Sequence, residues 1–387
     1  MTAPRLIILE PSKVGTQHMT LIAPYLEATL ASGDRPVEMW CASSLWDSLP
    51  SRLTRDVRHR KIPVIDPSSR QFLVKVPLEL LVTLWATFRK GRDDILLITC
   101  LFSPALYYFA IVIRWLRPSS VFVVLHGEIE AVVDKTLSPK ITGYGYWIRR
   151  FWQRCLHRDT PGLVVIDRFI RDRLFSLSEG RLRPERLTVL TMPISVSERD
   201  PRKEGTGRRG GKPKACFVGF RSRLKGFDEF TEMATKRDDF AWLAIGGGIA
   251  EDMSTGEITR FDRPGDFAHA LSACDVAVFP YQAGYDLSMS AAVLDAISVG
   301  LHVIASRRGC FEALSQALGE DFIQCANGAE EMNEALNRWL ALTEHPDHAE
   351  VSRRVASSRF SQANLNEEMR ALIASCDKRS ASAEAVF

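Results

Sequence analysis

The rhythm of this chain constrains its fold more than any single motif does. Short runs of aliphatic and β-branched residues stand at 6–9, 37–41, 95–100, 121–125, 163–166 and 187–190, each followed by a segment of helical length. Such alternation predicts parallel strands, because parallel neighbours need a long crossover, usually helical, instead of a tight turn. The rhythm stops at 197–214 (SERDPRKEGTGRRGGKPK), which is rich in Gly, Lys and Arg and almost free of apolar residues. It restarts with runs at 215–218, 242–245, 276–279 and 302–305. The expected fold class is α/β, with two Rossmann-like domains facing each other across a cleft. The N-terminal domain is expected at 1–197, a linker at 198–214, the C-terminal domain at 215–376 and a flexible tail at 377–387. The last helix of the second domain is placed to pack back on the first.

Length agrees, since 387 residues exceed what one hydrophobic core ordinarily serves. With 46% apolar and 25% charged residues and a net charge of +3, the chain is neither disordered nor collagen-like, and its charge names no partner. The eight cysteines show no CxxC spacing and read as reduced, buried small hydrophobes of a cytoplasmic protein. The eight histidines form no cluster in sequence; His345 and His348 have helical spacing, but no Cys or third His stands near them. No metal site is therefore expected. The N-terminal apolar run is a better strand than signal peptide. The longest apolar stretch, 95–116, is broken by Ser103 and Pro104 and carries Arg114, so it reads as strand, turn and helix and not as a bilayer span.

Ligands of open α/β sheets bind beyond the carboxyl ends of the strands. Four such places carry chemistry. After 215–218 the sequence Gly219-Phe220-Arg221-Ser222-Arg223-Leu224-Lys225-Gly226 puts a glycine and three cations ahead of a helix, an arrangement suited to a diphosphate or to a solvated basic loop. After 242–245 come Gly246, Gly247 and Gly248, where backbone can approach a ligand closely or simply form a loop. After 276–279 a polar loop with Asp286 and Ser288 leads to the small-residue helix at 291–298, whose start can hold a pyrophosphate or sugar hydroxyls. After 121–125 stand His126 and Glu128, an imidazole and a carboxylate, with a purely structural histidine as the alternative.

In this order the segments resemble the GT-B glycosyltransferases, family 4 in particular, over most of the chain. The VGF-R-x-x-x-KG-F segment is similar to the family's glycine, arginine and lysine-glycine signature. CDVAVFPY with AAVLDAISVGLHVIAS resembles its aspartate, strand, proline, loop, acidic helix and glycine block, and GLVVIDRFIRDRL with LTVLTMPISVS its closing N-domain strands. The resemblance implies that Gly219, Arg221 or Arg223, Lys225 and Gly226 hold the donor diphosphate and that Asp295 takes the ribose hydroxyls. Gly246, Gly247, Asp286 and Ser288 are further donor-binding candidates, and His126, Glu128 and Lys225 are the catalytic ones. Gly15 and His18 are the acceptor-side candidates. One departure stands out. The family pairs two glutamates with seven residues between them, whereas here Asp295 takes the second position and Leu287 the first, with Asp286 one step out of register. The resemblance favours retention of configuration.

These readings imply a metal-independent transferase with no cofactor, since the nucleotide sugar is a substrate. A GT-B epimerase and a silent GT-B-like binding subunit are the alternatives; an Asp-x-Asp triplet, which a GT-A enzyme would show, is missing. The segment 143–158 interleaves Tyr and Trp with Arg, and 70–90 is an apolar helix with basic ends. Each suits either an anionic membrane interface or a core-facing amphipathic helix. The expected partners are a nucleotide-sugar donor and a glycan or lipid-linked acceptor, as in bacterial polysaccharide assembly, with peripheral contact at the inner face of the plasma membrane. No nucleic-acid motif accompanies the basic residues.

Overall fold

A computed structural model describes residues 3–33, 35–66, 72–115, 120–141, 143–157, 160–196, 211–246, 269–282, 285–342 and 344–384. The chain forms two compact units, one of residues 1–192 with 362–387 and one of residues 193–361. Unit 1 is a parallel sheet of seven strands: β1 (Leu6–Leu9), β2 (Val37–Cys41), β3 (Val57–Lys61), β4 (Ile95–Ile98), β5 (Val121–Val124), β6 (Gly162–Val165) and β7 (Leu187–Val189). Their order is β3-β2-β1-β4-β5-β6-β7. Its helices are α1 (Met19–Ser32), the single turns α2 (Ser43–Trp46) and α3 (Ser51–Thr54), α4 (Phe72–Arg89), α5 (Ser103–Val112), α6 (Tyr144–His157) and α7 (Arg168–Ser178). Strands β1, β4 and β5 are buried along their whole length, as both faces of a doubly covered parallel sheet require.

Unit 2 repeats the plan with β8 (Lys214–Val218), β9 (Ala241–Ile245), β10 (Val276–Phe279), β11 (His302–Ser306) and β12 (Ile323–Ala326), in the order β12-β11-β10-β8-β9. All of these pairs are parallel. Helices α8 (Phe227–Lys236), α9 (Ala291–Ser298), α10 (Gly309–Leu318), α11 (Gly328–Ala341) and α12 (His348–Ser357) accompany them. Phe217, Phe230, Met233, Val278, Leu336 and Trp339 meet in one core cluster, and burying each such side chain contributes about 1.5–3 kcal/mol.

The final helix, α13 (Gln362–Glu384), belongs to unit 1. Gln362 Nε2 donates to the Pro24 carbonyl at 3.1 Å, and Glu368 accepts from the Thr191 backbone N–H at 2.6 Å and from its hydroxyl at 3.0 Å. It runs on to Glu384, where the sequence reading started a flexible tail at 377; Asp377 pairs with Arg35. The break between units falls after Met192, ahead of the expected linker. Residues 197–210 of that segment lie outside the described residues, and Lys214 already begins β8.

Two edge strands escaped the sequence reading. β3 reads VRHRK, with one apolar residue, because an edge strand buries little and carries charges that discourage further pairing. β12, at the edge of the second sheet, is four residues long and only half-buried in its middle. The apolar stretch at 95–116 resolves into β4, a turn and α5 with Pro104 in its first turn. No helix among the described residues is long and apolar enough to cross a membrane.

Candidate functional site

Each sheet has one topological switch point, where strand order reverses and a crevice opens beyond the strand ends. In unit 2 it lies between β8 and β10. After β8 the chain turns at Gly219 (φ +117°), passes Arg221, and makes a short 3-10 segment, Arg223–Lys225, capped by the Ser222 hydroxyl, which accepts from the Lys225 N–H at 3.3 Å. Gly226 (φ +68°) follows, and a Cβ there would lie 1.7 Å from the Pro280 carbonyl oxygen at the end of β10. A Cβ on Gly246 (φ +133°), after β9, would come within 2.3 Å of the Gly219 carbonyl. Glycine is thus obligatory at both places, because three strand ends crowd together.

The Lys225 ammonium sits 3.1 Å from where a Gly219 Cβ would stand, and the Ala292 methyl 3.5 Å from the same point. The lysine, the glycine turn and the first turn of α9 therefore converge. Ser290 precedes α9 without capping it, its hydroxyl 2.9 Å from that of Tyr281. Burial lowers the Lys225 pKa, and it lowers that of Arg221, which is only 9% exposed. Neither cation has a carboxylate partner among the described residues; Arg221 lies against the Phe227 ring, and its Nε makes no hydrogen bond. Two sequestered positive charges without counterions are costly unless an anion joins them.

Asp295 lies half-buried on α9, its pKa pushed up to about 6 by desolvation, with no cation partner among the described residues. Leu287, where the resemblance would put an acid, is fully buried, and Asp286 is half-buried beside it. Ser288 is buried, Arg223 is exposed, and Gly247 lies outside the described residues.

The sequence reading missed a neighbouring hollow of 210 Å³ lined by Glu229, Tyr281, Ser306, Arg308, Asn327 and Gly328, among others. Glu229 Oε2 and Arg308 Nε are buried there with no hydrogen-bond partner among the described residues. The strand-end rule, applied to β11, would have found Arg308.

In unit 1 the switch point lies between β1 and β4. Glu10, directly after β1 and fully buried, accepts from the Ser12 backbone at 2.9 Å and the Thr99 hydroxyl at 2.9 Å, and stands 3.3 Å from His18 Nδ1. His18 adopts a left-handed backbone (φ 63°) at the start of α1, a conformation uncommon for a non-glycine residue. Gly15, also left-handed, leads into it and donates its N–H to the Ser44 hydroxyl at 3.2 Å.

His126 follows β5 and heads the 3-10 segment Gly127–Val132, with Nε2 2.5 Å from the Thr99 carbonyl and its ring 4.9 Å from that of His18. Desolvation, then His18, pushes its pKa down to about 4, so the imidazole is neutral. Glu128 accepts from the Ser103 hydroxyl, and desolvation pushes its pKa up to about 7. Glu10, at a strand end and carrying the His18 orientation, also escaped the sequence reading.

The expectation that histidines form no cluster is corrected here. Donor atoms of His18, Cys100 and His126 all lie within 4.8 Å of one another. The sequence hides this, because the three follow different strands. Such a nitrogen and sulfur set suits a borderline-soft cation.

No family model and no curated protein matches the sequence. Solved structures do match its fold. Anabaena HepE in complex with UDP and glucose superposes with a TM-score of 0.62 at 12% identity, covering 96% of this chain and 99% of that one. A glycosyltransferase from Rickettsia africae gives 0.57 at 12% identity, over 97% and 99%, and OtsA in its apo form 0.60 at 10% identity, over 95% and 99%. The fold is that of the GT-B glycosyltransferases.

Proposed function

We propose that the chain moves a sugar from a nucleotide-sugar donor to a glycan or lipid-linked acceptor. The observation that carries this reading is the pair of cations, buried Arg221 and half-buried Lys225, with no carboxylate partner among the described residues, beside a glycine turn and the start of α9. A donor diphosphate supplies the missing charge, and as the glycosidic bond breaks its leaving oxygen gains negative charge that Lys225 stabilises. No metal is needed for that step. Asp295 accepts hydrogen bonds from donor hydroxyls, and HepE in complex with UDP and glucose makes UDP-sugars the first donors to try.

In unit 1, neutral His126 bonds a sugar hydroxyl, and in an inverting enzyme it would share the base role with Glu128. The family resemblance favours a retaining hexosyltransferase in bacterial polysaccharide or glycolipid assembly, at the cytoplasmic face of the membrane. A silent binding subunit is the second reading, and buried Leu287, where an acid would stand, favours it.

A thermal-shift screen of nucleotide sugars tests the donor site, since a ligand of the folded state raises its melting temperature. Stabilisation by one nucleotide sugar that Arg221→Ala abolishes is the expected result. No stabilisation by any of them sinks the proposal. Binding without hydrolysis or transfer to any acceptor supports the silent subunit.

A further inference from the structure

Helix α4 is turned inside out. Lys75, Glu79, Thr83 and Thr87, spaced four apart, are all buried. Lys75 pairs with Glu79 at 3.7 Å, the Thr83 hydroxyl donates to the Glu79 carbonyl and the Thr87 hydroxyl to the Thr83 carbonyl, and Glu79 Oε2 accepts from the Phe102 N–H at 3.0 Å. The outward side carries Leu73 (86% exposed), Val74 (56%), Leu81 (64%), Trp85 (36%) and Phe88 (66%). At 3.6 residues per turn these fall within an arc of about 120°. A water-facing helix carries its polar residues on that side. No acidic residue of α4 is exposed, and its end is Arg89.

A cationic edge adjoins this face. Strand β3 bears Arg58, Arg60 and Lys61 and no acid. Arg60 lies over the rings of both Trp40 and Trp85, 4.7 and 4.5 Å from their centres, tying the basic strand to the apolar helix, and the Arg58 side chain, 3.7 Å from buried Glu38, is 81% exposed. An apolar face with a tryptophan and a basic margin is the chemistry of the interface of an anionic bilayer. A second copy fits less well, since an isologous contact would bring the same cationic margins together.

We propose that the outward face of α4, with Arg58, Arg60 and Lys61 beside it, docks unit 1 on an anionic phospholipid surface. The inference deepens the lipid-linked acceptor reading, on which the purpose of the contact rests. The contact itself needs no donor, so the two can fail separately.

The experiment is cosedimentation of the full chain with vesicles of phosphatidylcholine, alone or mixed with phosphatidylglycerol, at low and high salt. Binding is expected only to the mixed vesicles and should weaken with salt. Leu81→Glu and Phe88→Glu should each weaken it by about tenfold or more, and Arg58→Ala with Lys61→Ala by about fivefold per residue. Leu340→Glu, an exposed leucine of unit 2, should have no effect. Melting curves and nucleotide-sugar stabilisation should stay unchanged in all of these, which keeps the donor reading separate. Three results would overturn the docking proposal: no binding of the wild type at low salt, binding insensitive to Leu81→Glu and Phe88→Glu, or self-association that Leu81→Glu abolishes without any vesicle binding.

Discussion

The Lys225 ammonium lies 5.5 Å from the centre of the Tyr281 ring, and the Tyr281 hydroxyl is 2.9 Å from that of Ser290, at the start of α9. Residues from the ends of β8 and β10 thereby gather around a cation with no counterion among the described residues. A lysine so fixed is preorganised for a charge that arrives later.

Lys225→Ala is therefore expected to lower transfer by about a hundred- to thousand-fold, as removal of a single preorganised charge-stabilising donor does elsewhere. Lys212→Ala, an exposed lysine just ahead of β8, is the control and should be neutral. Steady-state rates decide. Equal rates in the two variants would make the basic loop a solvated surface.

Gly226→Ala should damage the fold of unit 2 itself. Its Cβ would press into the Pro280 carbonyl, and its positive φ disfavours any side chain. A cost of about 1–3 kcal/mol is expected, or roughly 2–4 °C of melting temperature per kcal/mol. A calorimetric scan matching wild type would show that the β8 and β10 ends are not packed as described.

Asp295→Ala should weaken donor affinity by about ten- to hundredfold while leaving acceptor affinity unchanged, the loss appropriate to hydrogen bonds made to a charged group. Its pKa near 6 adds a pH signature: donor binding should weaken as pH falls through about 6. Isothermal titration of wild type and variant at two pH values reads both effects.

If Glu128 takes the acceptor proton, the rate should rise with pH through about 7 and then level, and Glu128→Gln should remove that limb. Stability moves the opposite way. A carboxyl whose pKa is raised in the fold holds its proton to higher pH than in the unfolded chain, so its contribution is present at low pH and is lost as pH rises from the ordinary carboxylate range through about 7. Glu128→Gln should accordingly melt higher than wild type at alkaline pH. A pH–rate profile beside melting curves tests the two signs together.

Chelation tests the charge-based mechanism. Transfer is expected to survive EDTA unchanged if, as proposed, Arg221 and Lys225 supply the charge that a metal ion would. Loss of activity restored by zinc, and absent in Cys100→Ser, would instead bring the His18, Cys100 and His126 cluster into the reaction.

Local physics made much of the fold legible. The runs at β1, β2 and β10 match their strands residue for residue, since a strand buried on both faces is mostly apolar, Glu38 of β2 being the exception. The Gly219 to Gly226 turn and the helix at α9 were equally readable, because glycine, charge and small residues there answer to the backbone itself. β3 and β12 were not, since β3 has one apolar residue and β12 is interrupted by Gln324, whereas the edge strands β7 and β9 kept apolar runs. By itself, then, the sequence determined the two α/β units and the strand ends where chemistry belongs. Only the tertiary structure decided that Glu10 holds His18, that His18, Cys100 and His126 meet, that Leu287 is sealed in the core, and that α4 turns its apolar face outward. Each of these depends on which segments of a folded chain become neighbours, and hydropathy along one helix or strand carries no information about the partner it will face.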